Sequence, residues 1–238
     1  MIARQFVREP LRANLPKVPA CDNCNNRKAK LEHYLTAVLP FASRGPDASA
    51  QLAGPVRDRL ARNSKLHREL AAGRHRLWTR EPSGLLMTTL ALPFQGEKLE
   101  EYIGLLVRGL MWHHWQVLLM PDCFVEVLCL TKHGEQFFRS MSSMNGKQRI
   151  NETLAEGAIS YTAVQAVDLP EISVWELTLF NGLKVGGERP GEESARWGVI
   201  TGPRRSQEAA DRAVKALATI DTVLGHERAQ ARRNRPPE

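Results

Sequence analysis

Between Glu97 and Trp115 the chain carries apolar side chains almost all the way round a helix: Leu99, Tyr102, Ile103, Leu105, Leu106, Val107, Leu110, Met111, Trp112 and Trp115. A surface helix needs only one apolar stripe, so a helix with scarcely any polar face has to be covered from several sides. No apolar run in the chain reaches the length of a membrane helix, and the start is too polar for a signal peptide. The stretch therefore reads as the central buried helix of a globular domain, and the rest of the chain has to supply its cover.

Strands supply most of that cover. Leu85–Leu92, closed by Pro93, is a short apolar run, and Cys123–Thr131, Ser160–Val167, Val174–Phe180, Leu183–Gly187 and Trp197–Thr201 read as further strands. Trp175, Leu177 and Leu179 alternate with Glu176 and Thr178, the period of a strand with one buried face. Asn181-Gly182 between two such runs predicts a tight type I′ hairpin, because both central residues of that turn need positive φ. Residues 132–157 are rich in Ser, Gly, Asn and Lys and read as a long excursion.

Two helices precede these strands. Leu31, Tyr34, Leu35, Val38 and Leu39 make an apolar stripe in a helix expected over Asn26–Phe41. After a loop over Ser43–Ser49, a second helix is expected over Gln51–Ala72, with Pro55 tolerated near its first turn. A last helix is expected over Gln207–Leu224, capped by Ser206 and Gly225, with Ala213, Leu217, Ile220 and Leu224 as its seam. The fold class is α+β: helices first, then an antiparallel sheet with a central buried helix and a C-terminal helix.

Charge is unevenly placed. The net charge is +7, but residues 1–80 hold 16 Lys+Arg against 6 Asp+Glu, so the whole excess lies in the first third. A basic end fits a polyanionic partner, whose counterions are released on binding, and fits solvated helix faces equally well. Four cysteines are too few for a disulfide framework, and Cys123 and Cys129 lie in a strand-like run where buried free thiols are common. The expected setting is the cytoplasm, with no membrane.

The chemistry is concentrated in Asn14–Lys30, NLPKVPACDNCNNRKAK. Cys21 and Cys24 form a CxxC pair in a turn-forming setting, approached by an extended segment set by Pro16 and Pro19. Two thiolates at this spacing can grip one zinc from a tight turn, and they supply half of a tetrahedral site. Arg27, Lys28 and Lys30 follow in what should be the first helical turn. Cations there oppose the helix dipole, which leaves phosphate contact and a solvated first turn both open. His33 could complete a zinc site, but an exposed helical histidine is the favoured reading. His113 and His114 are adjacent, so their side chains point about 100° apart and cannot chelate as an i, i+4 pair does; one is expected to face the core and the other a pocket or the surface.

This stretch resembles the second half of an HNH-type nuclease module, the zinc-stapled ββα-metal finger, whose pattern reads roughly EHV-I-P followed by N-L-x-x-V-P-A-C-x-x-C-N-x-x-K. The likeness covers about the first forty residues; downstream, RGLMWHHW and PEISVWELTLFNGL look like stretches that accompany this half in the same family. The resemblance implies that Asn14 orients the general-base histidine, that Cys21 and Cys24 are the second zinc pair, and that Asn25 helps to hold a divalent metal, magnesium or another, at the scissile phosphate. It places the base histidine immediately before Met1, since MIARQF looks like the residues that follow it, and places the first CxxC upstream as well.

The division that follows is 1–45 as a partial HNH-like finger and helix, 46–80 as a basic helical segment, 81–225 as the α+β domain and 226–238 as a disordered basic tail. The functional expectation is metal-dependent hydrolysis of DNA phosphodiesters, weak or lost without the general base. The alternative is a non-catalytic nucleic-acid-binding or protein-interaction component of a bacterial defence or toxin–antitoxin system. A homodimer or a protein partner, engaged through the α+β domain, is the further expectation.

Overall fold

A computed structural model of the chain describes residues 4–7, 9–42, 51–80, 83–143, 146–180, 182–183 and 194–204. The fold is α+β. The first long helix, α1 (Asp22–Val38), runs into a 3₁₀ turn over Leu39–Phe41. A π-helical turn over Leu52–Val56 leads into α2 (Arg57–Arg62), and α3 (Ser64–Ala72) follows after a break. A two-stranded ribbon, β1 (His75–Arg80) and β2 (Leu86–Ala91), precedes the long helix α4 (Gly96–Trp115). Then come β3 (Cys123–Cys129), α5 (Lys132–Ser143), β4 (Gly146–Leu154), β5 (Ile159–Ala166), β6 (Ser173–Leu179) and β7 (Arg196–Pro203).

The main sheet has the strand order β3-β7-β6-β5-β4, antiparallel throughout. Its strands sort their side chains by the two-residue period. Trp175, Leu177 and Leu179 of β6 are buried on one face, in register with Tyr161 and Ala163 of β5 and with Trp197 and Val199 of β7. Helix α4 lies on this face and buries Leu99, Tyr102, Ile103, Leu106, Val107, Leu110 and Met111, as its all-round apolar pattern demands. Helix α5 covers β6 and β7 on the opposite face, where the fully buried Phe138 sits over Gly198 so closely that a side chain there would collide with the ring. Ser173 ties the buried layer together: its hydroxyl takes the Trp175 indole N–H at 2.7 Å and lies 2.6 Å from the Thr201 hydroxyl.

One hydrophobic cluster takes in Phe6, Leu15, the α1 stripe, Leu66 and Leu70 of α3, α4 and the inner face of the sheet. The basic N-terminal helices thus share their core with the sheet. Arg59 reinforces this docking by donating to the Thr36 carbonyl at 3.0 Å.

Several expectations are corrected. Helix α1 begins four residues before the expected start, because Cys21 itself caps it. The second helix is broken at Asn63 (φ −115°, ψ 73°), whose side-chain oxygen accepts from the Leu66 N–H at 3.1 Å and starts α3 afresh. Pro55 lies inside the wide π turn, which has room for its ring. The excursion over 132–157 is helix α5 and edge strand β4, whose polar residues are those of an outer strand exposed on one side. The Asn181-Gly182 turn falls in the connection between β6 and its antiparallel neighbour β7, and Asn181 and the strand expected after it lie outside the described residues. Of its described residues, the Gly182 and Leu183 N–H groups both bond to the Leu179 carbonyl, at 3.0 and 2.8 Å. Cys123 is buried, but Cys129 at the end of β3 is exposed. The loop at 43–49, residues 184–187, the helix at 207–224 and the tail at 226–238 lie outside the described residues. Among the described residues no helix is long and apolar enough to cross a membrane.

Candidate functional site

The approach to the CxxC pair is anchored from behind. Phe6 and Val7 are buried, Phe6 packs on Phe180 with ring centroids 4.2 Å apart, and Leu15 enters the same core. Asn14 is exposed in the turn just before Leu15. The segment from Pro16 then runs without helix or strand to Cys21, whose backbone is extended (φ −69°, ψ 159°).

Cys21 is the N-cap of α1. Its sulfur accepts the Cys24 backbone N–H at 3.4 Å, the role an Asp or Ser oxygen usually plays. Cys24 therefore lies in the first helical turn, and both thiols are free and exposed on that turn. The Cys24 N–H lowers the Cys21 pKa, assisted by the Cys24 thiol, which also donates to it; that shared bond raises Cys24 in turn. The guanidiniums of Arg27 and Arg108 favour the Cys24 thiolate, but the bond to Cys21 and burial outweigh them. Arg108 is held half-buried by the carbonyls of Leu119 at 3.0 Å and Cys123 at 3.2 Å, and burial lowers its pKa.

The earlier start of α1 moves the other candidates. Asn25 is exposed in the first turn, its N–H bonded to the Cys21 carbonyl at 2.9 Å. Arg27, Lys28 and Lys30 fall beyond the first turn, where the dipole penalty has faded. Arg27 pairs with Glu101 of α4, Lys28 pairs with Glu32 one turn on, and Lys30 is exposed. His33 shares the helix with Cys24; nine residues at a rise of 1.5 Å separate them by about 13 Å along the axis. It does not complete the thiol pair, and among the described residues no group of three His, Cys, Asp or Glu side chains could hold a metal ion. Cys21, Cys24 and Asn25 are thus brought onto one turn, whereas no hydrogen bond among the described residues links Asn14 to them.

A second constellation sits where α4 meets the sheet. The Tyr161 hydroxyl donates to a Glu152 carboxylate oxygen at 2.7 Å, and His114 Nε2 lies 2.7 Å from the same hydroxyl. The phenol has one proton and gives it to Glu152, so Nε2 carries the imidazole proton and donates to the phenol oxygen. Burial first, then the bond to Glu152, drives the Tyr161 pKa up; burial lowers that of His114 despite the nearby carboxylate. His113 is exposed, so the pair divides between inside and outside as its spacing requires. Only the histidines carried a sequence signal for this cluster: Tyr161 looked like a strand residue, and Glu152 lay in the supposed excursion.

No family model, curated protein or solved structure matches the chain.

Proposed function

We propose that the chain is a nucleic-acid-directed protein of the HNH type, akin to metal-dependent phosphodiesterases. The observation that carries this reading is the Cys21–Cys24 cap: two exposed thiols on one helical turn, one of them with its pKa lowered by the Cys24 N–H. That donor set fits two vertices of a tetrahedral zinc site, and the remaining two ligands are not among the described residues. Cys21 and Cys24 would hold the zinc, which would staple the N-terminal segment to whatever supplies the other pair. The donors for a catalytic divalent ion do not fit in the same way. Asn25 offers one neutral amide, and among the described residues no cluster of carboxylates and imidazoles gathers round it. Further support comes from the exposed cations of α2 and α3, Arg57, Arg62, Lys65 and Arg68, which face solvent beyond the core-facing side of those helices.

The test is zinc content beside DNA binding in the 238-residue chain. The expected result is bound zinc that disappears in Cys21→Ser, and duplex binding that weakens as salt rises. One zinc per two chains would mean that two copies share the metal. Cleavage by these 238 residues should be slow, because none of them matches the general-base histidine of the HNH pattern and loss of such a base costs about 10²- to 10⁴-fold. Absence of zinc together with absent or salt-independent DNA binding would overturn the proposal.

A further inference from the structure

Among the described residues no element packs on the β1–β2 ribbon. Its strands pair only with each other and make marginal contact with the rest of the described chain. Large apolar side chains stand in solvent along it: Trp78 is 63% exposed, Leu86 58%, Met87 48% and Leu90 56%. An isolated two-stranded ribbon is marginal in water; a third strand or a covering layer is what stabilises it.

The two edges of the ribbon differ in charge. Strand β1 carries Arg76 and Arg80, with Arg74 just before it. Strand β2, LMTTLA, has no charge and no proline, and so lacks the devices by which natural edge strands avoid pairing. A short neutral segment rich in apolar and β-branched residues is the composition that pairs with its own copy. Pairing along β1 would set arginines against arginines, whereas pairing along β2 keeps both basic strands on the outside.

We propose that β2 is a dimer edge: two copies of the chain pair antiparallel along Leu86–Ala91 about a twofold axis and make a four-stranded sheet. Such a contact is self-complementary, as a twofold interface must be. With the axis through Thr88, Leu86 of each copy lies opposite Leu90 of the other. The ribbon register puts Thr88 beside Trp78, so both leucines and the indole share one face. The dimer then carries one continuous apolar strip flanked by two basic strands. This inference is independent of the zinc reading.

The full chain is sedimented at tens of micromolar. The expected mass is twice that of the 26.7 kDa chain. The double variant Leu86→Lys/Leu90→Lys should sediment at one chain mass with an unchanged circular dichroism spectrum. Thr88→Cys should form a covalent dimer with oxidised glutathione beyond any seen for the wild-type chain, which keeps the proposal testable if the double variant misfolds. A monomeric wild-type chain, a dimer that survives both lysines, or a Thr88→Cys chain that does not cross-link would each overturn it. If the wild-type chain is monomeric and Trp78→Ala weakens nucleic-acid binding, the ribbon serves nucleic acid and the dimer edge is wrong.

Discussion

The Cys21–Cys24 cap and the His114–Tyr161–Glu152 cluster are both groups of titratable side chains at a helix end, yet they are built on opposite plans. In the cluster the polar groups answer one another: Glu152 takes the phenol proton, and the phenol oxygen takes the imidazole N–H. At the cap the Cys21 sulfur takes the Cys24 N–H and the Cys24 thiol, and both thiols are otherwise exposed to water. A closed relay of this kind holds elements together, here α4, β4 and β5, while an open pair of thiols has valence left for a ligand. Perturbed pKa values accompany both, so the perturbation alone does not tell structure from function.

The contrast predicts that substitutions in the body and at the cap dissociate stability from ligation. The largest effect should come from Trp175→Ala. Its indole is fully buried, stacks near Trp115 and Tyr161, and donates to Ser173. Truncating a buried tryptophan costs about 3–5 kcal/mol. Denaturant unfolding should register that loss in full, and a loss below about 1 kcal/mol would mean that the α4–sheet layer is less tightly packed than its burial implies.

Next in size is Tyr161→Phe. It removes the shared hydroxyl and leaves the largely buried imidazole without its partner, which should cost about 1–2 kcal/mol. Glu152 is half exposed and recovers water, so the penalty falls mainly on His114. Zinc content should be unaffected. A variant as stable as the wild type would show that the relay is dispensable to the fold.

The same cluster sets a pH dependence. Burial holds the His114 pKa below the ordinary 6.5, so the native chain binds fewer protons than the unfolded chain once the pH drops beneath that value. Stability from this group is therefore complete above pH 6.5 and declines as the pH falls toward the native-state pKa. Glu152 and the exposed His113 face the imidazole, and the carboxylate limits the decline. Unfolding measured from pH 7.5 down to pH 5 should slope downward in the wild type and be flatter in His114→Gln, about the ordinary imidazole midpoint. Parallel slopes in the two chains would remove His114 from the account.

How much of this could be read from the chain alone follows from the range of each interaction. Helix α1 and its stripe, α4 as the buried helix, and the alternation of β6 are set by period and composition within a dozen residues, and these were clear in advance. The start of α1 was missed because a thiol seldom caps a helix, so Cys21 read as a turn residue. Strands β1 and β4 were missed for a related reason. Each is polar or basic for its length, and nothing local marks it except a partner strand that composition does not reveal. Cys21, Cys24 and Asn25 share one turn because they lie within five positions of one another at the start of α1. The ion pair between Arg27 and Glu101 and the relay through Tyr161 join residues 74 and 47 positions apart, which no local pattern encodes.

The smallest effect should be that of Cys21→Ser on the metal-free chain. A serine hydroxyl is a stronger acceptor than a thiol and a preferred N-cap, so the bond from the Cys24 N–H should be kept or improved. In the presence of a chelator the variant should unfold within about 0.5 kcal/mol of the wild type, a shift of about 1–2 °C for a chain of this size. With zinc added the two should separate, because only the wild type gains stability from a ligand that binds the folded form. A variant that separates from the wild type in chelator would mean that Cys21 supports the N-terminal segment through contacts beyond the cap. A pair that stays together in zinc would mean that the thiols do not hold the metal, and the cap would then join the relay as a purely structural device.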